Sequence, residues 1–135
     1  MERTYIMLKP DCVKRKLMGK VIKRIEEKGY TITNMKMMTL TEEILREHYA
    51  HIADRPFFPG ILSYMTSGPV VGMIVEGENV VKGRGILMGP TKFEEAPAGT
   101  IRGDFAMSTS ENIIHGSDSP ENGEIEIKRF FGENA

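Results

Sequence analysis

The sequence is poor in cysteine and in long apolar segments, and both absences limit where the protein can work. Cys12 is the only cysteine, so no intramolecular disulfide can form and a reducing setting is favoured. No apolar run approaches the roughly 20 residues that a helix needs to cross a bilayer. The start, Met1–Thr4, leads into a short apolar segment rather than a cleavable signal. We therefore expect a cytoplasmic protein that does not enter a membrane.

An excess of charge of one sign is also missing. The 18 lysines and arginines nearly balance the 19 aspartates and glutamates, which leaves a formal net charge of −1. Such a weak overall field does not favour dedicated binding to a nucleic-acid backbone, although Lys14-Arg15-Lys16 forms one basic cluster. With 40% hydrophobic and 27% charged residues, the chain has the composition of one globular domain spanning residues 1–135. Any attraction for phosphate must then be local.

The two common phosphate-binding loops are absent. No segment matches Gly-x-x-x-x-Gly-Lys-Ser/Thr, and the glycines between positions 83 and 89 do not match Gly-x-Gly-x-x-Gly. A bound nucleotide would therefore need dispersed side chains for its phosphates and an aromatic ring for its base. Candidates for these contacts are Lys9, Thr91, Arg102 and Phe57.

Hydrophobic periodicity predicts strands that alternate with helices. Short apolar or β-branched runs predict strands at Tyr5–Leu8, Tyr30–Leu40, Val70–Val75 and Ile113–Ile114. Helical spacing and capping residues predict helices at Gly19–Lys28, from Thr41 to about Ala50, at Ile61–Met65, at Asn79–Met88 and from Ser119 to about Phe130. This order predicts an α/β (α+β) chain in which helices cover one sheet.

Several local patterns add detail to this outline. Lys9-Pro10-Asp11 predicts a turn after the first strand, because Pro10 donates no backbone hydrogen bond. The methionines of Tyr30–Leu40 are expected to fill the core. The almost uniformly apolar Val70–Val75 predicts a central strand that is covered on both faces. Residues 89–103 show no convincing period and predict a long irregular segment, a kind that is usually functional.

Of the three histidines, His115 is the best candidate for chemistry. It ends an apolar run among polar residues, and a neutral imidazole can attack an electrophile such as phosphorus while its other nitrogen is held. From this residue alone, a hydrogen-bonded structural histidine is the alternative. His48 and His51 are three apart on a predicted helix, but no third ligand with a zinc-site pattern accompanies them. Ser117 and Asp118 lie too close to His115 for an ordinary hydrolytic triad, so a surface turn is favoured.

Five segments resemble the nucleoside diphosphate kinase family, in the family's order along nearly the whole chain. The run from Asn112 to Ser119 is the most specific, and together with the others it favours a catalytic His115. The segments are Lys9-Pro10-Asp11, Arg55-Pro56-Phe57-Phe58, Ser67-Gly68-Pro69-Val70-Val71, Gly99-Thr100-Ile101-Arg102-Gly103-Asp104-Phe105 and Asn112-Ile113-Ile114-His115-Gly116-Ser117-Asp118-Ser119.

The resemblance implies a ferredoxin-like antiparallel sheet covered by helices, in a homo-oligomer that is usually a hexamer and sometimes a tetramer. It also implies a ping-pong reaction in which His115 receives the γ-phosphoryl group of a nucleoside triphosphate and passes it to a nucleoside diphosphate. Magnesium is expected to enter with the nucleotide, bound chiefly to phosphate and water, with no metal site on the protein itself.

The resemblance also implies roles for individual residues. The residues around the imidazole are Glu126, which orients it, Ser117, which can hydrogen-bond to Glu126, and Tyr49, whose hydroxyl lies beside it. The residues expected to bind the nucleotide are Lys9 and Asn112 at the sugar and nearby phosphate, Phe57 under the base, and Thr91, Arg102 and Arg84 at the phosphates.

Departures from the family pattern weaken part of this interpretation. Gly85 stands where the family has a phosphate-binding arginine, and Arg84 lies one residue early. Cys12 replaces a common glycine, Ser110-Glu111 replaces Gly-Arg, and Lys92-Phe93 replaces Asn-Pro. The alternative hypothesis is therefore a nucleotide-binding regulatory protein of the same fold with weak turnover. A nucleic-acid-binding regulator is a further alternative.

Overall fold

Four antiparallel strands form one sheet, because two central segments are apolar on both faces. In the computed structural model, which describes residues Met1–Ala135, the strands are β1 (Glu2–Leu8), β2 (Thr31–Met38), β3 (Val70–Gly77) and β4 (Ile114–Gly116). The order across the sheet is β2-β3-β1-β4, and every neighbouring pair is antiparallel. This topology confirms the expected ferredoxin-like α+β class.

Seven α-helices accompany the sheet, and none of them has the length and apolarity that crossing a bilayer requires. Side chains of Thr41, Thr100 and Ser119 cap three of the helices by accepting a hydrogen bond from a backbone N–H in the first turn. The helices are α1 (Pro10–Lys14), α2 (Met18–Glu27), α3 (Glu42–His48), α4 (Phe58–Met65), α5 (Val80–Met88), α6 (Ile101–Phe105) and α7 (Pro120–Phe131), and short 3-10 turns occupy Ala50–Ile52 and Phe93–Glu95.

The sheet separates two hydrophobic cores. Because side chains alternate along a strand, Ile6 and Leu8 of β1 face one core with α2 and α5, whereas Tyr5 and Met7 face the other core with α3, α4 and α7. Strand β3 is divided in the same way, and it is buried along nearly its whole length. The prediction of a central strand covered on both faces is confirmed.

Several sequence-based boundaries were wrong. Pro10 does not lead into a simple turn but begins α1, where a missing N–H is harmless in the first helical turn. The segment 89–103 is not irregular throughout, because it contains the 3-10 turn at Phe93–Glu95 and the start of α6. Strand β1 begins at Glu2, ahead of the predicted start at Tyr5.

The methionines of β2 were also misjudged. Met35 and Met37 are 53% and 54% exposed, because β2 lies at the edge of the sheet and pairs only with β3. The glycine-weakened helix α5 is present as predicted. Packing explains why residue 83 of this helix is a glycine, since a Cβ there would overlap the Tyr30 hydroxyl oxygen.

Candidate active site

The register of β4 decides which way His115 points. His115 pairs with Met7 of β1, and directly opposed residues of an antiparallel pair share a face of the sheet. Met7 belongs to the core formed with α3 and α7, so His115 points toward the same two helices. Its side chain is 24% exposed and lines a cavity of about 640 Å³. The ring therefore has an open path to solvent.

One ring nitrogen of His115 is held by a carboxylate. The Nε2–Oε1 distance between His115 and Glu126 is 2.7 Å, and the hydroxyl of Ser117 donates to the same oxygen at 2.6 Å. Burial opposes ionisation of Glu126, but the hydrogen bonds and charge of His115 and the hydrogen bond of Ser117 outweigh it and lower the pKa of its carboxyl to about 2. An ionised carboxylate only accepts, so Nε2 carries the proton and Nδ1 keeps its lone pair.

Lys9 and Asn112 meet at the end of β1. The Nζ of Lys9 donates to Oδ1 of Asn112 at 2.8 Å, across a separation of 103 residues. Burial, with the nearby charge of Arg102, lowers the pKa of Lys9 to about 8, and the charge of Asp11 offsets this shift only in part. The ammonium is thus short of solvent, which favours binding of a phosphate or a hydroxyl-rich sugar beside it.

A second cavity, of about 540 Å³, extends from this pair. Phe57 lines it and is 56% exposed, so its ring face is available for stacking. Tyr49 and Thr91 line both cavities and mark the boundary between them. Burial raises the pKa of Tyr49 to about 12, which keeps its hydroxyl neutral. The two cavities thus form one path from the Phe57 ring to His115.

Arg102 holds the backbone beside the site through hydrogen bonds. It is buried, and its guanidinium donates to the backbone oxygens of Gly89 at 3.0 Å, Ile114 at 2.6 Å and Asn112 at 3.4 Å. These bonds join the end of α5, β4 and the chain just before β4. A guanidinium has five N–H donors, so two remain for a ligand. Arg102 was expected only as a phosphate ligand, and its hydrogen bonds to the backbone were not predicted.

Arg84 reaches the site although it lies one residue before the family position. A Cβ on Gly116 would lie 2.8 Å from Cδ of Arg84, so the side chain crosses the bare backbone next to His115. Burial lowers the pKa of Arg84, while the charges of Asp118 and Glu126 oppose that shift. Its Nε is buried without a hydrogen-bond partner. Gly85 has open space where a side chain would begin.

A strained turn at Ile113 lies between two of the proposed site residues, Asn112 and His115. Ile113 has φ of 77°, a value that is unfavourable for a β-branched residue, and the Ile114 amide donates to the Asn112 carbonyl at 2.8 Å. The buried carboxylate of Asp11 accepts hydrogen bonds from the Ile113 amide, at 3.1 Å, and from the Tyr64 hydroxyl. Asp11 therefore stabilises the turn that carries the site.

Sequence reasoning missed His48 as part of the site. Its ring centroid is 4.9 Å from that of His115, at an interplanar angle of 81°, and its Nδ1 accepts a hydrogen bond from Arg129 at 2.9 Å. His48 is buried, whereas His51 is exposed in the following 3-10 turn, so the two do not form the shared face that was considered for a metal. The Arg129 contact spans 81 residues, and no local pattern signals it.

His48, His115 and Glu126 are the one group whose donor atoms could hold a metal. One ligand atom from each lies within 4.8 Å of the others. However, Nδ1 of His48 already accepts from Arg129, and Nε2 of His115 already donates to Glu126. The group is therefore arranged as a hydrogen-bonded set.

Comparison with known proteins gives one consistent family. The sequence profile described as Nucleoside diphosphate kinase matches residues 2–135. The nucleoside diphosphate kinase of Exiguobacterium sibiricum is 53% identical over 131 residues, which cover 97% of this chain and 95% of that protein. Nucleoside diphosphate kinase B of Bos taurus is 51% identical over 130 residues, which cover 96% of this chain and 86% of that protein.

The fold agrees with the sequence comparisons. The crystal structure of nucleoside diphosphate kinase from Encephalitozoon cuniculi superposes with a TM-score of 0.95 at 45% identity, covering 99% of this chain and 91% of that chain. A family profile that spans the chain and relatives at about half identity leave no competing family. The chain belongs to the nucleoside diphosphate kinase family.

Proposed function

We propose that this family member moves the γ-phosphoryl group of a nucleoside triphosphate to a nucleoside diphosphate through a phosphohistidine at Nδ1 of His115. The observation that carries the proposal is the bond from Nε2 of His115 to Glu126, since it leaves Nδ1 as the nitrogen with a lone pair. The reaction is ping-pong, and the second half is nearly the reverse of the first. The same site can therefore serve both substrates.

In the first half-reaction, a bond forms between Nδ1 and the γ-phosphorus while the bond from phosphorus to the bridging oxygen breaks. The electron pair leaves with the diphosphate. The imidazole becomes more positive, and the Glu126 carboxylate stabilises that charge while Nε2 keeps its proton. Because Ser117 donates to the same oxygen, the carboxylate is fixed before the nucleotide binds.

We assign the nucleotide contacts from the two cavities. Phe57 would stack on the base, and stacking uses a face that every base presents, which supports broad base specificity. Lys9 and Asn112 would bind the sugar hydroxyls and nearby phosphate. The phosphates would then follow the path toward His115, past Tyr49 and Thr91. Arg84 and Arg102, which line neither cavity, are the remaining proposed phosphate ligands.

The residues present fit a magnesium ion that arrives with the nucleotide. Glu126 is occupied by His115 and Ser117, and the Asp118 carboxylate accepts from Asn122, so no free pair of carboxylates is directed at the phosphate path. Phosphate and water oxygens would supply the ligands, as they usually do for magnesium in kinases. When bound, the ion would neutralise charge on the phosphates.

A homo-oligomer, a hexamer rather than a tetramer, remains our expectation for the assembly. The exposed edge of β2, with Met35 and Met37, is a surface that an assembly could cover. A cytoplasmic setting remains the expectation drawn from Cys12, which is buried and has no disulfide partner.

Labelling tests the proposal. Incubation with γ-labelled ATP and magnesium should place one phosphoryl group on the protein, in a form that is labile to acid and stable to alkali. A nucleoside diphosphate should then remove it as the triphosphate, at a rate at least equal to turnover. His115→Ala should abolish the label, and a label that persists in this variant would show that the carrier is another residue.

The alternative of a nucleotide-binding protein with weak turnover rests on Gly85, which lacks the family arginine. Measurable nucleotide affinity together with turnover near background would favour it. Efficient turnover that falls in Arg84→Leu would instead show that the displaced arginine serves the phosphate. Gly85→Arg is the matched gain-of-function variant, because the open space at that position can accept a side chain.

A further inference from the structure

His48 and Arg129 form a buried polar pair that the proposed reaction does not use. His48 ends α3 and is 8% exposed, and Arg129 lies on α7, about one turn after Glu126. The only hydrogen bond that the structure gives the His48 ring is from Nη1 of Arg129 to Nδ1, at 2.9 Å. An arginine has no lone pair to offer, so this bond requires Nδ1 of His48 to be the acceptor. A neutral His48 must then carry its proton on Nε2.

The ring of His48 is placed where it can limit motion of His115. The two rings are nearly perpendicular, at 81°, and their centroids are 4.9 Å apart, which is a favourable edge-to-face distance. A single hydrogen bond at Nε2 fixes one end of the His115 ring but permits the ring to tilt about that bond. A perpendicular ring packed beside it removes much of this freedom. His48 is itself enclosed by the rings of Tyr49 and Phe130.

The protonation state of His48 also matters for Glu126. Donor atoms of His48, His115 and Glu126 all lie within 4.8 Å of one another, so an imidazolium at His48 would compete for the carboxylate that orients His115. Burial, His115, Arg129 and Lys9 lower the pKa of His48 to about 3, and Glu126 alone opposes them. Glu47, near Arg129 at 3.9 Å, is exposed and screened by solvent.

We propose that Arg129 and His48 are positioning residues for His115, in which Arg129 fixes His48 as the neutral Nε2–H tautomer and His48 restrains the reactive ring. Without the guanidinium, His48 would exchange between tautomers and become protonated at a higher pH. It would then draw Glu126 away from His115. Binding of the base and sugar would change little, because Arg129 and His48 line the cavity that contains His115 but not the cavity that contains Phe57.

The direct test is nitrogen NMR of the histidine rings in the wild-type protein, without nucleotide. Long-range proton–nitrogen spectra should show His48 with a protonated Nε2 and an unprotonated Nδ1 from about pH 6 to pH 8. A protonated Nδ1, or an imidazolium in that range, would overturn the proposal. This readout needs no activity, so its failure is distinguishable from failure of the proposed function on which the inference rests.

Kinetics of Arg129→Leu provide the second test. We expect the rate of His115 phosphorylation to fall by about tenfold near pH 5 and by much less near pH 8, with the KM for ATP changed little. Arg129→Lys, which keeps a donor, should recover part of the loss. Arg46→Leu, an exposed arginine on α3 paired with Glu42, is the matched control and should keep the wild-type pH profile.

Two results would overturn the assignment of a positioning role. One is an Arg129→Leu profile that is unchanged at every pH. The other is a loss of equal size at both pH values with a lower melting temperature, since that is what a purely structural arginine would give. If Arg129→Leu does not fold, His48→Phe keeps the ring shape without its nitrogens, so it should retain packing and show no additional loss of phosphorylation rate at low pH relative to the wild type. A loss in His48→Phe that grows as the pH is lowered would contradict the proposal, because no imidazolium can form at that position.

Discussion

At the scale of single residues, most charged groups of the proposed site have a defined hydrogen-bond partner. The Glu126 carboxylate accepts hydrogen bonds from His115 and Ser117, and the Lys9 ammonium donates one to Asn112. Arg102 donates to three backbone oxygens. Arg84 and the proposed positioning residue Arg129 are the exceptions, because each has a buried Nε without a hydrogen-bond partner. A buried donor without a partner is costly, which favours a ligand at that position.

Lys9 predicts an alkaline limit to catalysis. Burial lowers the pKa of this ammonium to about 8, so the free enzyme holds its charge below that pH and loses it as the pH rises through that value. We therefore expect kcat/KM, which reports the free enzyme, to fall above about pH 8. Lys9→Arg should move the fall to higher pH, because a guanidinium stays protonated.

The control for the alkaline limb is Lys20→Arg, an exposed lysine on α2 that should leave the profile unchanged. If the fall of kcat/KM occurs at the same pH in Lys9→Arg, a group other than Lys9 causes it.

Sequence predicted much of the site at this scale, through resemblance rather than through local chemistry. His115, Glu126, Ser117, Lys9 and Asn112 come together as expected, although their roles remain proposals. The His48–Arg129 contact could not be predicted, because it joins residues 81 apart on two helices with no shared pattern. The burial of Arg102 was not predicted either, because its guanidinium bonds to backbone oxygens, which are present at every residue and leave no sequence pattern.

At the scale of elements, helix α5 compensates for a departure from the family pattern. Arg84 crosses Gly116 of β4 and lies near the charges of Asp118 and Glu126. The approach depends on the glycine, since a Cβ on Gly116 would come within 2.8 Å of Arg84 Cδ and 3.0 Å of Met88 Sδ. We therefore propose that Arg84 supplies the cation that the family pattern has at position 85.

Arg84→Leu should raise the KM for ATP by about tenfold, because it removes a cation from the phosphate path. Introducing Gly85→Arg into that variant should lower the KM again, since position 85 has room for a side chain. Initial-rate measurements at saturating and low ATP separate the two parameters. An unchanged KM in Arg84→Leu would show that Arg84 does not contact the nucleotide.

The turn between α6 and β4 predicts a stability effect. The carboxylate of Asp11, on α1, accepts hydrogen bonds from the amide of the strained Ile113 and from the Tyr64 hydroxyl. Asp11→Ala leaves both donors unpaired in the interior, so we expect a loss of roughly 2–4 kcal/mol in the free energy of unfolding. Thermal unfolding at one protein concentration measures the change.

Tyr64→Phe is the matched comparison for Asp11→Ala, because it removes only one of the two hydrogen bonds. We expect it to destabilise the protein by less. Equal effects of the two substitutions would mean that the bond to Ile113 contributes nothing.

Elements with strong periodicity were predicted well, and short ones were not. Helix α2 and strand β3 were found because their apolar spacing is regular and their burial follows it. Helices α1 and α6 have five residues each, too few for a period, and they are held by contacts with the rest of the fold. The strained φ of Ile113 leaves no trace in the residue type.

At the scale of the whole molecule, the edge strand β2 exposes apolar side chains. Strand β2 pairs only with β3, and the apolar side chains of Met35 and Met37 project into solvent in the isolated chain. An exposed apolar edge favours association with another copy. The sequence predicted the methionines as core residues, and covering them in an assembly would reconcile that pattern with the fold.

Native mass spectrometry should show a homo-oligomer, and Met35→Lys combined with Met37→Lys should shift it toward smaller species by placing charge on the edge. The double variant Lys20→Met and Lys23→Met exchanges the same two residue types in the opposite direction, at exposed positions of α2. It is the control for an effect of surface composition away from β2. A wild-type monomer, or an oligomer that the β2 variant does not change, would exclude this edge as the interface.

We propose that Nδ1 of His115 carries the phosphoryl group because Glu126 holds Nε2. The most direct measurement is NMR of the phosphorylated, nitrogen-labelled protein, in which phosphorus–nitrogen coupling identifies the bonded atom. We expect coupling to Nδ1 of His115 and a proton on Nε2. Phosphorus bonded to Nε2, or to any residue other than His115, would contradict it.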